Sequence, residues 1–229
     1  MRKTAALFLA LVLSFSLAAC SHASSDATAS SGAPQNTETE SGTPSDAPDS
    51  AGNVLVAYFS WAENAVLADD VDAVASPSVI SPGNVQQLAG WVQEITGGAL
   101  FSIRVTDPYP SDWDDCLTRA NRERGENARP ELAENVENLD NYDVVFLGYP
   151  NWWYGVPMAL LSFLENNDLS GKQVYLFCSH GTGGLANSVE IITQALPGSE
   201  ISDNIFDCYE EEAPGSQAEI ERWLTELGY

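Results

Sequence analysis

Three consecutive aromatic side chains stand in one short segment of the sequence, Pro150-Asn151-Trp152-Trp153-Tyr154-Gly155. Consecutive residues of a loop point in different directions, so packing into a single core explains all three rings poorly. Aromatic faces are natural partners of a large, flat and partly apolar ring system. The segment therefore predicts a site for a planar ring, with a protein-docking patch or core packing as the alternatives.

A second segment, Ser179-His180-Gly181-Thr182-Gly183-Gly184, combines glycines with groups that form hydrogen bonds. Glycines let the backbone approach a flat ring closely and direct N–H groups at its edge. The His180 side chain could hydrogen-bond such a ligand or pass a proton to it near neutral pH. A bond from the same ring to the backbone of its own loop is an equal alternative. A glycine-rich turn is weak evidence alone, and residues 179–183 are a candidate part of the site because they follow a predicted strand.

Both segments follow apolar runs that are typical of buried parallel strands. Strands are predicted at 54–59, 143–149 and 174–179, an edge strand at 100–105 and a weaker fifth at 200–206. Helical patterns cover 84–95, 112–127, 157–165, 185–196 and 217–227. This alternation predicts an α/β fold, a doubly wound five-stranded parallel sheet with strand order 2-1-3-4-5. Ligands of such sheets bind beyond the carboxyl ends of the strands, where both segments would lie.

Together with the segment after the first strand, these loops resemble the flavodoxin family. The resemblance rests on residues 54–60, on the helix start Gly83-Asn84 and on the segments 148–155 and 179–184. It covers residues 53–229, and the Tyr-Phe-Ser-Trp sequence at 58–61 is similar to flavodoxin-like lipoproteins in particular. The resemblance implies a flavodoxin-like fold, non-covalent FMN as the cofactor and transfer of one or two electrons.

In that family the loop after the first strand binds the FMN phosphate. Backbone N–H groups and the dipole at a helix N-terminus stabilise an anion there without a lysine. Here Ser60-Trp61 begins the loop, and Ser81-Pro82-Gly83-Asn84-Val85 opens the helix about twenty residues later. The resemblance assigns phosphate contacts to Ser60, Gly83 and Asn84. Ser81 is a replacement hydroxyl, because Val85 stands where the family has one.

The inserted stretch from Trp61 to Pro82 departs from the family pattern. It contains Asp69, Asp70 and Asp72, whose carboxylates would repel a phosphate if they faced it. An ordinary loop that binds no phosphate is therefore the alternative for this segment.

The first 20 residues have the organisation of a signal peptide, with the basic pair Arg2-Lys3 and an apolar run over 5–17. They end in Leu17-Ala18-Ala19-Cys20, which resembles the lipobox of bacterial lipoproteins, in which the cysteine receives a diacylglycerol group. An ordinary secretory signal with an incidental Cys20 is the alternative. Residues 21–52 contain no large apolar side chain, which is typical of disordered linkers. We expect an extracytoplasmic domain, residues 53–229, anchored to the bacterial cell membrane through lipid on Cys20.

From Asn53 onward the sequence has 28 acidic and 7 basic residues, a formal charge of −21. Nucleic-acid binding needs a basic surface, so that class of partner is excluded. The charge suits a redox partner protein with a basic docking surface, although solubility alone would also explain it. Four of the basic residues, Arg119, Arg122, Arg124 and Arg129, lie near one another among acidic residues, which favours a solvated helix face over an anion site.

Three cysteines remain besides Cys20, namely Cys116, Cys178 and Cys208. No C-x-x-C pair or His-Cys cluster accompanies them, so we predict no zinc site. Cys178 with Cys208 is the first pair to test for a disulfide, since export permits one. Buried free thiols are the alternative.

The leading hypothesis is an FMN-dependent electron carrier. A flavin-dependent reductase of a quinone or other small acceptor, and a binding module that kept the fold and lost FMN, stay open as alternatives. The insertion and Val85 motivate the last one. We predict no catalytic residues, because the sequence has no Ser-His-Asp order, no paired-carboxylate site and no metal-ligand motif. It also has no separate dinucleotide fingerprint, which ranks the reductase below the carrier.

Overall fold

The structure is a computed structural model that describes residues 53–67 and 77–229. The signal peptide predicted at 1–20, the linker at 21–52, the lipidation site Cys20 and the acidic residues Asp69, Asp70 and Asp72 lie outside the described residues. Within the described part, no helix is both long enough and apolar enough to cross a lipid bilayer.

A parallel sheet forms the centre of the described domain. Its strands are β1 (Val54–Tyr58), β2 (Ala99–Ser102), β3 (Val144–Pro150), β4 (Gln173–His180), β5 (Glu200–Ile201) and β6 (Phe206–Tyr209). The order is β2-β1-β3-β4, and both β5 and β6 pair with β4. The predicted order 2-1-3-4-5 is therefore confirmed, with the fifth strand divided into two pieces and extended to Tyr209.

Helices cover both faces of this sheet. They are α1 (Asn84–Thr96), α2 (Trp113–Gly125), α3 (Met158–Asn166), α4 (Ser188–Ala195) and α5 (Gln217–Leu227). The predicted helix at 185–196 begins three residues later, after a turn. Pro157 precedes the first turn of α3 as its N-cap.

Side chains of each strand alternate between two apolar cores, because successive residues of a strand point to opposite faces. On one face Leu55, Leu147 and Leu176 pack with α3 and α4. On the other face Val56 and Phe146 pack with α1 and α5. Burial on both sides explains why the central strands are continuous apolar runs.

The same alternation places the side chains of Cys178 and Cys208 on opposite faces of the sheet. Cys178 on β4 belongs to the core that includes α3. Cys208 on β6 belongs to the opposite core, with α1 and α5. The suggested Cys178–Cys208 disulfide is therefore wrong, because the sheet separates the two side chains. Cys116, Cys178 and Cys208 are all buried free thiols in the described structure.

Gly148 on β3 shows how closely these layers pack. A methyl group added there would lie 2.2 and 2.3 Å from two ring carbons of Phe177 on the neighbouring strand. Phe177 is fully buried, so its ring has no free space to enter.

We predict that Gly148→Ala lowers the free energy of unfolding by about 1–3 kcal/mol through overpacking. Urea denaturation measures this change. Gly90→Ala is the matched control: Gly90 lies within α1 and a methyl group there meets nothing within 4 Å. Because alanine favours helix, the control should be up to about 1 kcal/mol more stable than the wild type. Equal stability of Gly148→Ala and the wild type would contradict the described packing.

Candidate functional site

A cavity of about 360 Å³ opens at the carboxyl end of the sheet. Its volume falls in the usual range of small-molecule sites, roughly 300–1,000 Å³. Many of the residues singled out from the sequence line it: Ser60, Trp61, Asn84, Val85, Pro150, Asn151, Trp152, Trp153, Tyr154, Ser179, His180, Gly181, Thr182 and Gly183. Three others do not: Ser81, Gly83 and Gly155.

Asn64 fixes the chain that leaves β1. The buried Asn64 side-chain amide donates to the carbonyl oxygens of Ser60 and Ile103, each at 2.9 Å. Its side-chain oxygen accepts from the Val105 N–H, also at 2.9 Å. Residues Ala65–Val66 then pair in parallel with Tyr109–Pro110. The Tyr109–Pro110 pair thus anchors the start of the insertion.

The far end of the insertion returns to the end of β1. A methyl group on Gly83 would lie 2.4 Å from the Ser60 Oγ atom and 2.9 Å from the Ala62 Cβ atom. Ser60 and Gly83 are therefore in contact although 22 positions separate them in the sequence. This contact restores in space the short loop that the sequence interrupts. Gly83 supports the cavity from behind rather than lining it.

This end of the cavity has the groups that an anion requires. The Ser60 side chain is 1% exposed, and its Oγ atom has no hydrogen-bond partner in the described part of the chain. Helix α1 begins beside it, and the first turn contains no acidic residue. First-turn amides of a helix lack intrahelical partners and attract negative charge. The buried hydroxyl and the helix start together suit a phosphate group.

The aromatic loop after β3 is a tight two-residue turn. Trp152 and Gly155 exchange backbone hydrogen bonds at 3.3 and 3.0 Å, and Trp153 and Tyr154 have φ values of 49° and 66°. Such left-handed conformations are unfavourable for bulky residues. Two contacts from outside the loop hold them: Arg124 donates to the Trp153 carbonyl at 2.5 Å, and the Asn187 N–H to the Tyr154 carbonyl at 3.3 Å.

The three aromatic residues of this loop have different surroundings. The Trp152 ring packs edge-on against Tyr109 at 5.2 Å and Phe59 at 5.4 Å, so it is attached to the core as well as to the cavity. Trp153 lies 5.9 Å from Trp113 of α2. Tyr154 is 67% exposed at the cavity mouth. Core packing and ring binding, posed as alternatives, are thus both available to this loop.

The loop after β4 forms the opposite wall. The Asn151 N–H donates to the Ser179 carbonyl at 2.9 Å, which ties the two loops together at their bases. At the mouth, a methyl group on Gly183 would lie 3.1 Å from the Tyr154 ring. The two loops thus face each other across the cavity, and Tyr154 and Gly183 approach each other at its mouth.

His180 holds this wall instead of pointing its ring nitrogens at a ligand. The Nδ1 atom lies 2.8 Å from the Gly181 carbonyl oxygen, and the Nε2 atom lies 2.8 Å from a carboxylate oxygen of Asp207. Of the two roles considered for this residue, the described contacts are those of the loop-holding one.

Sequence reasoning missed four lining residues: Ser78, Trp113, Cys116 and Glu210. Glu210 follows β6, and the predicted fifth strand ended too early to place it at the rim. Its backbone carbonyl accepts from the Asn84 side-chain amide at 2.8 Å. Burial and the nearby Glu211 raise the pKa of the Glu210 carboxyl. Burial also raises the pKa of the Cys116 thiol to about 12, so this cysteine is neutral and unreactive at neutral pH.

Among the described residues that line the cavity, none is lysine or arginine. Two members of the arginine group nevertheless support the site from outside. Arg124 bonds the Trp153 carbonyl as described above. Arg119 packs over the Tyr109 ring at 4.1 Å and pairs with the buried Glu123 at 2.8 Å. The expectation of a solvated helix face therefore fails for Arg119, whose side chain is only 12% exposed.

Comparisons with known proteins agree with this geometry. A family model described as flavodoxin matches residues 71–226. A candidate flavoprotein from Bacteroides eggerthii is 25% identical, with a TM-score of 0.58, over 78% of this chain and 99% of its own. No curated protein matches the chain.

Two further solved structures share the fold. A candidate flavoprotein from Bacteroides uniformis is 23% identical, with a TM-score of 0.58, over 76% of this chain and 98% of its own. A flavoprotein from Lactobacillus acidophilus, solved in complex with FMN, is 17% identical with a TM-score of 0.51, over 75% of this chain and 98% of its own. The family model spans more than half of the sequence, and the sheet order and the rim cavity are those that the resemblance implied. The chain belongs to the flavodoxin family.

Proposed function

We propose that the domain binds FMN in the rim cavity and serves as an electron carrier. The observation that carries this proposal is the pairing of two features in one cavity. At one end a buried Ser60 hydroxyl, with no hydrogen-bond partner among the described residues, lies beside the start of α1. Further along, an aromatic loop and a glycine-rich loop face each other. The FMN-bound flavoprotein from Lactobacillus acidophilus, which shares the fold, supports the choice of ligand.

In this proposal Ser60 and the first-turn amides of α1 hold the phosphate, with Gly83 leaving room for the Ser60 hydroxyl. Trp152 and Trp153 offer aromatic faces to the ring, and the backbone of Gly181 and Gly183 approaches it from the other wall. Bound FMN supplies the ability to accept and release one or two electrons. The aromatic faces and the excess of acidic residues disfavour negative charge on the ring, which lowers its reduction potential.

We further propose a redox partner with a basic docking surface. The formal charge of −21 from Asn53 onward supports long-range attraction of a cationic protein. Tyr154, exposed at the mouth, stands where a partner would approach the ring edge. The alternative of a module that has lost FMN depended on the insertion. The contact of Ser60 with Gly83 weakens that argument.

Titration of the full chain with FMN, followed by flavin fluorescence and visible absorption, tests the proposal. We expect one FMN per chain and strong quenching by the aromatic wall. Ser60→Ala removes a hydrogen bond to a charged group, worth about 1.5–3 kcal/mol, and should weaken FMN binding about 10- to 150-fold. Binding of riboflavin, which lacks the phosphate, should change little in the same variant.

Gly83→Ala should weaken FMN binding as well, because the added methyl group would displace the Ser60 hydroxyl. Gly90→Ala is the control and should bind like the wild type. A chain that leaves FMN fluorescence and absorption unchanged would contradict the proposal. Steady turnover of a nicotinamide donor with a quinone, without any partner protein, would favour the reductase over the carrier.

We also propose that the mature protein is a lipoprotein on the extracytoplasmic side of the bacterial cell membrane. Three features of the sequence support this location: the basic start, the apolar run over 5–17 and the Leu17-Ala18-Ala19-Cys20 sequence. Two or more acyl chains suffice for stable attachment to a bilayer.

Cys20→Ser should abolish the lipid anchor, because serine lacks the thiol that receives the diacylglycerol group. We expect the wild type in the membrane fraction with the mass of a lipid-modified N-terminus, and the variant without lipid. Cys116→Ser, which changes a buried thiol of the folded domain, is the control and should leave lipidation intact. Identical masses and fractionation of wild type and Cys20→Ser would contradict a lipoprotein.

A further inference from the structure

His180 faces two groups that can only accept hydrogen bonds. Its Nδ1 atom is 2.8 Å from the Gly181 carbonyl oxygen, and its Nε2 atom is 2.8 Å from the Asp207 carboxylate. A neutral imidazole has one N–H group, whereas the protonated ring has two. Only the protonated ring can donate to both acceptors at once.

The position of this ring links three parts of the site. His180 is the last residue of β4 and lines the cavity, and its side chain is 12% exposed. Asp207 belongs to the neighbouring strand β6. Gly181 begins the glycine-rich wall. An imidazole that donates hydrogen bonds to both Gly181 and Asp207 therefore attaches the glycine-rich wall to the end of the sheet.

Three charged or titratable residues that contact or lie near His180 belong to β6 and the loop that follows it. Asp207 forms the ion pair, and Glu210, whose N–H donates to the His180 carbonyl at 2.8 Å, adds a second nearby carboxyl group. The Tyr209 ring lies edge-on at 6.3 Å. No lysine or arginine lines the cavity in the described structure, so His180 is the one lining side chain there that can carry a positive charge.

We propose that His180 is a positioning residue that clamps the glycine-rich wall while its ring carries both protons, so that the binding of the flavin ring weakens as pH rises. This inference rests on the proposed function, because it names what regulates ligand binding in the same cavity. When one proton leaves, either the Gly181 carbonyl or the Asp207 carboxylate loses its donor. The wall then keeps one of the two attachments that the His180 ring gives it, and a ring ligand must restore the lost order of the wall on binding.

The direction in which affinity changes with pH follows from the protonation states of His180. The clamp is complete at low pH and incomplete at high pH, so affinity falls as the ring deprotonates. A hydrogen bond to a charged group is worth about 1.5–3 kcal/mol, and the 43% exposure of the Asp207 side chain reduces that value. We therefore expect a change of about 3- to 10-fold in the dissociation constant across the titration of the ring.

The first test needs no flavin. Nitrogen NMR of the imidazole groups reports how many protons each ring carries, in the full chain with His22→Gln, which removes the only other histidine. We expect His180 to hold both protons to a higher pH in this chain than in the same chain with Asp207→Asn. Asp203→Asn changes an exposed aspartate near the same strand and is the control. Equal titration of the Asp207→Asn and Asp203→Asn chains would overturn the inference.

The second test measures the dissociation constant of riboflavin from about pH 5.5 to 8.5, because riboflavin has no phosphate that titrates in that range. The wild type and Asp203→Asn should bind more weakly as pH rises. In Asp207→Asn the amide can donate to the neutral ring while Nδ1 donates to Gly181, so the clamp no longer depends on pH. This variant should show a flat profile at near the low-pH affinity, and His180→Ala should bind weakly throughout.

Glu210→Gln removes the charge of the second nearby carboxyl group. Riboflavin binding by this variant should still weaken as pH rises. A flat wild-type profile, a sloping profile in Asp207→Asn, or loss of the dependence in Glu210→Gln would each overturn the clamp. Failure of the proposed function is a different outcome. In that case no variant would bind flavin, and the NMR titration of the ligand-free chain would still decide whether His180 is held as inferred.

Discussion

The contact between Ser60 and Gly83 is the constraint on which the rim of the sheet depends. The two residues come from opposite ends of an insertion, and the site has an anion-binding end only if they meet. Asn64 fixes one end of the insertion, because its side chain forms three buried hydrogen bonds to the backbone of Ser60, Ile103 and Val105. A buried amide that satisfies three backbone groups is a strong local restraint.

The ring-binding part of the rim has a different origin. Two consecutive aromatic residues in left-handed conformations cost of order 1–3 kcal/mol each. The neighbours offset this cost, since Arg124 bonds the Trp153 carbonyl and Trp152 packs against Tyr109 and Phe59. Arg119 and Glu123 in turn fix Tyr109, whose hydroxyl donates to the Glu123 carboxylate at 2.9 Å. The aromatic wall thus depends on helix α2, a segment that the sequence marks only as polar.

Much of the fold was predictable because buried parallel strands have an unmistakable composition. β1, β3 and β4 are apolar on both faces, whereas β2 lies at the sheet edge and its residues are exposed or half-buried. The fifth strand was placed poorly because it is short and interrupted, and Glu210 was missed with it. Long-range pairings have no local signal. Nothing near Asn64 indicates that it bonds residues 39 and 41 positions away, and the register that separates Cys178 from Cys208 exists only in the folded sheet.

The site was predictable in part, because functional residues of such folds lie in the loops at the strand ends. Residues of all three predicted loops reach one cavity, while Ser81, Gly83 and Gly155 do not line it. Ser81 is exposed, Gly83 packs behind Ser60, and Gly155 closes the aromatic turn. A crystal structure of the full chain with FMN tests the central claim most directly. We expect the phosphate within hydrogen-bond distance of the Ser60 Oγ atom and the ring between the loops after β3 and β4. A phosphate remote from Ser60, or a ring bound outside these two loops, would contradict it.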